Sequence, residues 1–321
     1  MATSEATIKV RVSGLCKSYG ELKALNDVSF TVHQGEVFAY LGPNGAGKTT
    51  TINILCGLLP RDAGEVSIGG ADVERDPVFV KERIGVVPEE SNLYPELTCR
   101  RNLEYLGELY GLPHAARKAG VAELLETFGL TEKAAAPFRA LSRGMKRRLT
   151  VAAALIHSPE IVFLDEPTAG LDVPSARALR ALIREINRDG TTVFLTTHNL
   201  AEAEALSDRV LILVKGHVVA EGTAAEIRRR VEEARILSVV FSGEVFEQSL
   251  CDGCPAIRSA VQADGKWRLE VDDLHAAVCE LAAFAQQRNV QILEVNGAST
   301  TLEDAFMSLL ESNAREPGAK S

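Results

Sequence analysis

Residues Gly42-Pro43-Asn44-Gly45-Ala46-Gly47-Lys48-Thr49 place glycines, a lysine and a hydroxyl at the spacing G-x-x-x-x-G-K-[ST]. Glycines let successive backbone N–H groups turn inward around phosphate oxygens, and a helix N-terminus just behind them adds a favourable dipole. Lys48 is placed to reach the β- and γ-phosphates of a nucleotide, and the Thr49 hydroxyl to ligate Mg²⁺. A second group ends the apolar run Ile161-Val162-Phe163-Leu164 in two carboxylates, Asp165 and Glu166. Asp165 can hold Mg²⁺ directly or through water, and Glu166 can accept a proton from an attacking water or orient it. His198 follows Phe194-Leu195-Thr196-Thr197. At a strand end it is placed to touch the γ-phosphate or the water; taken without the other groups, it reads as a surface or capping histidine.

Such groups act together only if the elements carrying them bring them to one edge. The apolar stretch 37–41 reads as a buried strand feeding the glycine-rich turn, and 48–56 as the helix behind it. Further strands are expected at 8–12, 25–32, 66–68, 84–87, 161–164, 192–196 and 209–214, with helices at 174–188 and 200–206. From 99 to about 158 the texture is helical, with Leu103, Leu106, Leu109 and Tyr110 on one face, then a helix over 115–128 and a third from 143 to about 157. Strands alternating with helices imply an α/β fold with a largely parallel sheet, whose carboxyl edge collects strand-end residues. The pattern restarts after about 224. A helix over 225–234, strands at 236–241, 267–271 and 290–295, and helices at 274–287 and 301–310 make a small α+β C-terminal domain. The expected division is a domain over 1–224 with an inserted helical subdomain at about 90–158, a second domain over 225–312, and a disordered tail at 313–321.

The composition narrows the classes. The chain has 321 residues, 46% hydrophobic and 25% charged, with a net charge of −9. That is the balance of a globular protein, and an acidic one gives no reason to expect a nucleic-acid partner. Lys146-Arg147-Arg148 and Arg228-Arg229-Arg230 read as solvated helix faces. No apolar run approaches the roughly 18–20 residues of a membrane-spanning helix, and the N-terminus has no secretion-signal pattern. Work at a membrane then requires docking onto another chain. Of six cysteines, Cys56 is expected to pack as a small hydrophobe. Cys251 and Cys254 form a lone C-x-x-C, for which free thiols are favoured over a metal site with His275 and Cys279.

Five motifs in series resemble the ATP-binding cassette family across about residues 8–225. They are the phosphate loop, Leu141-Ser142-Arg143-Gly144-Met145, Ile161 to Glu166, Ala169-Gly170-Leu171-Asp172, and His198. The resemblance implies a P-loop NTPase cassette that hydrolyses MgATP. Gly42, Pro43, Asn44, Gly45, Ala46, Gly47, Lys48, Thr49 and Thr50 would hold the phosphates, Tyr19 would stack on adenine, and Thr49, Glu89 and Asp165 would hold the metal. Lys48, Glu166 and His198 would carry the chemistry. Ser142 and Gly144 would touch the γ-phosphate in a second cassette, a copy or a paralogue, arranged head-to-tail. The resemblance further implies a separate transmembrane permease subunit and a cytoplasmic place on the inner face of the cell membrane. Arg143 and Met145 stand where the family more often has glycine and glutamine, and Glu89 where it has glutamine. These variants, with Asn92-Leu93-Tyr94-Pro95 and Thr301-Leu302-Glu303-Asp304-Ala305-Phe306, are similar to bacterial drug- and sodium-efflux exporters. An importer ATPase, or a soluble cassette ATPase outside transport, are the alternatives.

Overall fold

Continuous apolar runs at 37–41, 161–164 and 210–214 leave no polar face for water, as in strands covered on both sides. The structure is a computed structural model describing residues 7–231, 235–243, 245–263, 265–271 and 273–298, with Glu303 and Phe306. The chain divides into two compact units, Met1–Thr223 and Ala224–Ser321.

In the first unit, β1 (Ile8–Tyr19), β2 (Leu22–His33) and β3 (Val37–Leu41) lead to α1 (Lys48–Leu55). Next come β4 (Ala63–Ile68), β5 (Ala71–Asp72), α2 (Pro77–Lys81) and β6 (Ile84–Val87). The helical insertion carries α3 (Cys99–Leu109), α4 (His114–Thr127) and α5 (Arg143–Ala154). Then follow β7 (Ile161–Asp165), α6 (Val173–Arg188), β8 (Thr192–Thr197), α7 (Leu200–Leu206), β9 (Arg209–Val214) and β10 (His217–Gly222). The main sheet has the order β10-β9-β3-β8-β7-β6, and its pairs from β9 to β6 are parallel. A second, antiparallel sheet has the order β2-β1-β4-β5.

The core of this unit joins both sheets. Phe30 of β2 stacks on Phe38 of β3 with centroids 5.6 Å apart, and Phe38, Tyr40 and Phe163 all meet Phe194 of β8 at 5.4–5.8 Å. Ile52, Ile54 and Leu55 of α1 join the same cluster, which fixes the helix behind the glycine-rich turn. Such aromatic pairs are worth about 0.5–1.5 kcal/mol each beyond their buried area, so the strands that end in reactive groups are held by shared rings.

Several elements differ from expectation. The strand β10 returns antiparallel along β9 through the two-residue turn Lys215–Gly216, with φ of 48° and 78°. Positive φ at both positions is the hairpin turn that matches strand twist. On α3 the buried face is Cys99, Asn102, Leu103 and Gly107, while Leu109 is 65% exposed and the exposed Tyr110 ring stacks on His157 at 3.7 Å. Arg147, expected on a solvated face, is only 8% exposed, because backbone carbonyls distant in sequence close around it.

In the second unit, α8 (Ala224–Val231) precedes β11 (Arg235–Phe241), α9 (Glu247–Gly253), β12 (Ile257–Ala263), β13 (Lys266–Val271), α10 (Leu274–Arg288) and β14 (Ile292–Ala298). The antiparallel order is β12-β13-β11-β14. Alternation sets its core: Trp267, Leu269 and Val271 of β13 point inward to Leu281 and Phe284 of α10, and Arg268 points out. Expected residues 232–234, the helix 301–310 apart from Glu303 and Phe306, and the tail 313–321 lie outside the described residues.

Candidate functional site

The neighbouring parallel strands β3, β8, β7 and β6 deliver their carboxyl ends to one edge. After β3 comes the phosphate loop, after β8 His198, at the end of β7 Asp165 and Glu166, and after β6 the turn Pro88-Glu89. A cavity of about 700 Å³ opens there, within the size range of ligand pockets; it is lined by Tyr19, Asn44, Gly45, Gly47, Lys48, Thr49, Thr50, Glu89, Glu166 and His198, among others.

The loop is held from below. Gly42 N donates to Thr197 O at 3.3 Å, which ties the loop's start to β8. A Cβ on Gly42 would lie 2.4 Å from Leu213 O, and one on Gly47, whose φ is 112°, would lie 2.6 Å from Ala24 O. Side chains do not fit at either position. Gly47 starts α1, so the helix's unpaired N–H groups open toward the cavity.

The side chains of Lys48, Glu166 and His198 form a chain of contacts. Lys48 Nζ donates to Gly42 O at 2.8 Å and Pro43 O at 3.3 Å, and pairs with Glu166 Oε1 at 3.2 Å. Glu166 Oε2 lies 2.8 Å from His198 Nδ1 and accepts from His198 N at 3.4 Å. Glu166 has a left-handed φ of 45°, unusual for a residue with a side chain, and its N–H donates to Thr196 O at 3.2 Å and Thr196 Oγ1 at 3.1 Å. Those bonds hold a backbone conformation that costs about 1–3 kcal/mol, and they aim the carboxylate into the cavity. Thr196 Oγ1 also donates to Asp165 Oδ1, so one hydroxyl holds the Asp165 carboxylate and the Glu166 backbone.

Behind His198 the turn is fixed by a buried carboxyl. Thr197 Oγ1 donates to Glu202 Oε2 at 2.7 Å and accepts from Asn199 N at 3.0 Å. Burial pushes the Glu202 pKa up, and the Glu166 charge adds to that, against hydrogen bonds from Thr197 and Thr168 and the Arg180 charge.

Of the expected residues, Gly42, Pro43, Ala46 and Asp165 belong to the loop and strand end without lining the cavity, and Asp165 is buried. Ser142 and Gly144 do not line it either. Exposed Ser142 caps α5, its Oγ accepting from Met145 N at 3.3 Å, and a Cβ on Gly144 would lie 2.6 Å from Ser175 Oγ. Sequence reasoning missed the wall formed by Leu22, Lys23, Ala24 and Lys215. The pairing of Tyr19 with Leu22 across the β1–β2 turn carries the first three there.

A family profile described as ABC transporter matches residues 25–169. The linearmycin resistance ATP-binding protein LnrL of Bacillus subtilis (strain 168) is 36% identical over 315 residues, covering 96% of this chain and 100% of that protein. The chain belongs to the ABC transporter ATPases. Nod factor export ATP-binding protein I of Ralstonia nicotianae (strain ATCC BAA-1114 / GMI1000) is 42% identical over 216 residues, 67% of each chain. An ATP-binding cassette solved as a dimer in a post-hydrolysis state bound to ADP and Pi matches with a TM-score of 0.61 and 30% identity, over 67% of this chain and 98% of that one.

For this cassette ATPase, the donors gathered near the phosphate loop (Thr49, Glu89, Asp165 and Glu166) are all oxygen, as a hard cation requires. Among the described residues no three His, Cys, Asp or Glu side chains converge as a protein-only metal cage. Mg²⁺ is such a hard cation, commonly held by one or two side chains together with substrate phosphates and water. Cys251 and Cys254 are free thiols at the end of α9, Cys254 buried in the core of the second unit. His275 and Cys279 face each other on α10 at 4.0 Å.

Proposed function

We propose that the chain is the MgATP-hydrolysing subunit of a membrane exporter. The observation carrying this reading is Glu166, held between Lys48 and His198 at the mouth of the phosphate loop. Loop N–H groups and Lys48 take the β- and γ-phosphates and Tyr19 takes the adenine face; Thr49, Glu89 and Asp165 would hold Mg²⁺, which would neutralise phosphate charge. Water attacks the γ-phosphorus, Glu166 accepts its proton, and the bond to the β-phosphate breaks to give ADP and phosphate. His198 keeps Glu166 aimed and contacts the γ-phosphate.

Ser142 and Gly144 at the exposed start of α5 are not at the chain's own cavity, which supports a role in a second cassette's site. Two cassettes then close head-to-tail around two MgATP, and hydrolysis removes the contacts that hold them closed. The dimeric ADP-bound relative and the relatives named for resistance and export support that arrangement and its direction. Among the described residues no helix is long and apolar enough to cross a membrane, which favours a separate permease as partner.

The test is affinity purification from native membranes with mass spectrometry of copurifying chains. A chain with several membrane-spanning helices and no solute-binding protein is expected. Recovery of a solute-binding protein would turn the reading to import, and ribosomes or DNA in place of a membrane chain would refute it.

A further inference from the structure

The guanidinium of buried Arg147 donates from all three nitrogens to backbone carbonyls. Nε reaches Pro167 O at 2.8 Å, Nη2 reaches Asp165 O at 2.6 Å, and Nη1 reaches Pro88 O and, at 3.1 Å, Glu89 O. One turn earlier on α5, Arg143 Nη2 donates to Ala169 O at 3.3 Å. Two arginines of one helix thus grip alternate carbonyls at 165, 167 and 169, and Arg147 holds the turn after β6 as well. A carbonyl is offered by every residue, so this grip reads the path of the main chain and not its side chains. Burial lowers the Arg147 pKa to about 10 while Asp165, Glu202 and Glu89 oppose the fall, so the group stays charged at neutral pH.

We infer that Arg147 is a positioning residue for hydrolysis. It locks the exits of β6 and β7 and the start of α5 into one frame, so that Glu89, Asp165 and Glu166 meet MgATP at fixed separations. A shift of α5, whose N-terminus carries Ser142 and Gly144, is thereby transmitted to the carboxylates of the chain's own site. The role rests on the reading of those carboxylates proposed above. Lysine cannot replace it, because a single ammonium lacks the planar fork that spans carbonyls on two sides. A misplacement of 1 Å at reacting groups can lower turnover on the order of a hundredfold.

The experiment uses the purified full chain carrying Arg147→Met, Arg147→Lys or Glu166→Gln, with MgATP and free Mg²⁺ as probes. Three quantities are read: MgATP affinity by equilibrium titration, kcat and KM for phosphate release, and the Mg²⁺ concentration giving half-maximal rate. For Arg147→Met, affinity within about threefold of wild type, kcat lower by tenfold or more, and a raised Mg²⁺ requirement are expected. Arg147→Lys should fold and show the same fall in kcat without a matching rise in KM; it carries the test alone if the methionine variant does not fold. Wild-type kcat and Mg²⁺ profile in the folded variants, with only a lowered melting temperature, would overturn the positioning role. Full turnover in Glu166→Gln would instead sink the reading of the site, so the two failures are separable.

Discussion

Replacing Glu166 by glutamine tests the site with the least disturbance. The side chains have the same shape, so the left-handed backbone at φ 45° and the bonds from Glu166 N to Thr196 are retained. What changes is chemistry at three contacts, because the NH₂ that takes the place of Oε2 also loses the bond accepted from His198 N at 3.4 Å. The amide oxygen can still accept from Lys48 Nζ, now 3.2 Å from Oε1. Its NH₂ then faces His198 Nδ1, 2.8 Å from Oε2, and can only donate there, which fixes His198 with its proton on Nε2. Loss of a general base lowers rates by about 10²–10⁴-fold, which at about 1.36 kcal/mol per tenfold is about 3–5 kcal/mol of barrier. MgATP affinity should stay within a few-fold, because the loop N–H groups, Lys48 and Thr49 are untouched. Single-turnover phosphate release measures the rate, and size-exclusion chromatography with ATP reports whether the dimer accumulates. Turnover within threefold of wild type would refute Glu166 as the base and leave its strained backbone without the purpose assigned to it.

Lys48→Ala removes the cation that bridges the loop carbonyls and Glu166; MgATP affinity should fall at least tenfold by equilibrium titration, and unchanged affinity would contradict the phosphate-loop assignment. Glu89→Gln removes a negative charge from the cavity wall and should give an active ATPase with an altered Mg²⁺ dependence; an identical Mg²⁺ titration would place Glu89 outside the metal shell. Glu202, raised by burial above its ordinary 4.5, stabilises the fold fully below that value. Its contribution falls as pH climbs through the raised pKa, where the unfolded chain has already lost the proton. Thermal melts of Glu202→Gln should therefore flatten the decline above pH 4.5, and a slope matching wild type would show that Glu202 does not supply it.

The reactive groups were legible because each belongs to a short local pattern: glycine spacing before a helix, or carboxylates closing an apolar run. The strands carrying them were legible for the same reason. The strand β10 was not, because its turn uses Lys215 at positive φ where Asn or Asp before glycine would have signalled a hairpin. The elements β5, α2 and α9 are short and gain definition from neighbours, and β12, as long as β11, buries Ile257 and Ala260 three residues apart and so lacks the two-residue alternation of a half-buried strand. The burial of Arg147 had no local sign either. Its partners lie at 88–89 and 165–167, and only the pairing of β6 with β7 brings those carbonyls to one helix. The α3 stripe was misread in its last turn, where Leu109 and Tyr110 leave the core; periodicity finds a face but not where packing stops.

The insertion over 88–160 leaves from β6 and returns on β7, two parallel neighbours that pair Ile84 with Ile161 and Val87 with Leu164. Val87, where it leaves, lies beside Leu164, and Ile161, where it returns, lies beside Ile84, so its two roots sit at opposite ends of the strand pair, about 11 Å apart, whatever lies between them. A segment rooted in this way can lengthen, shorten or be exchanged by recombination without displacing Lys48, Glu166 or His198, and loop-closure entropy penalises such changes only slowly. A chimaera that takes its insertion from another cassette needs Arg147 retained beside Glu89, Ser142 and Gly144, because that side chain joins the borrowed helix to the carbonyls of Asp165 and Pro167 in the host.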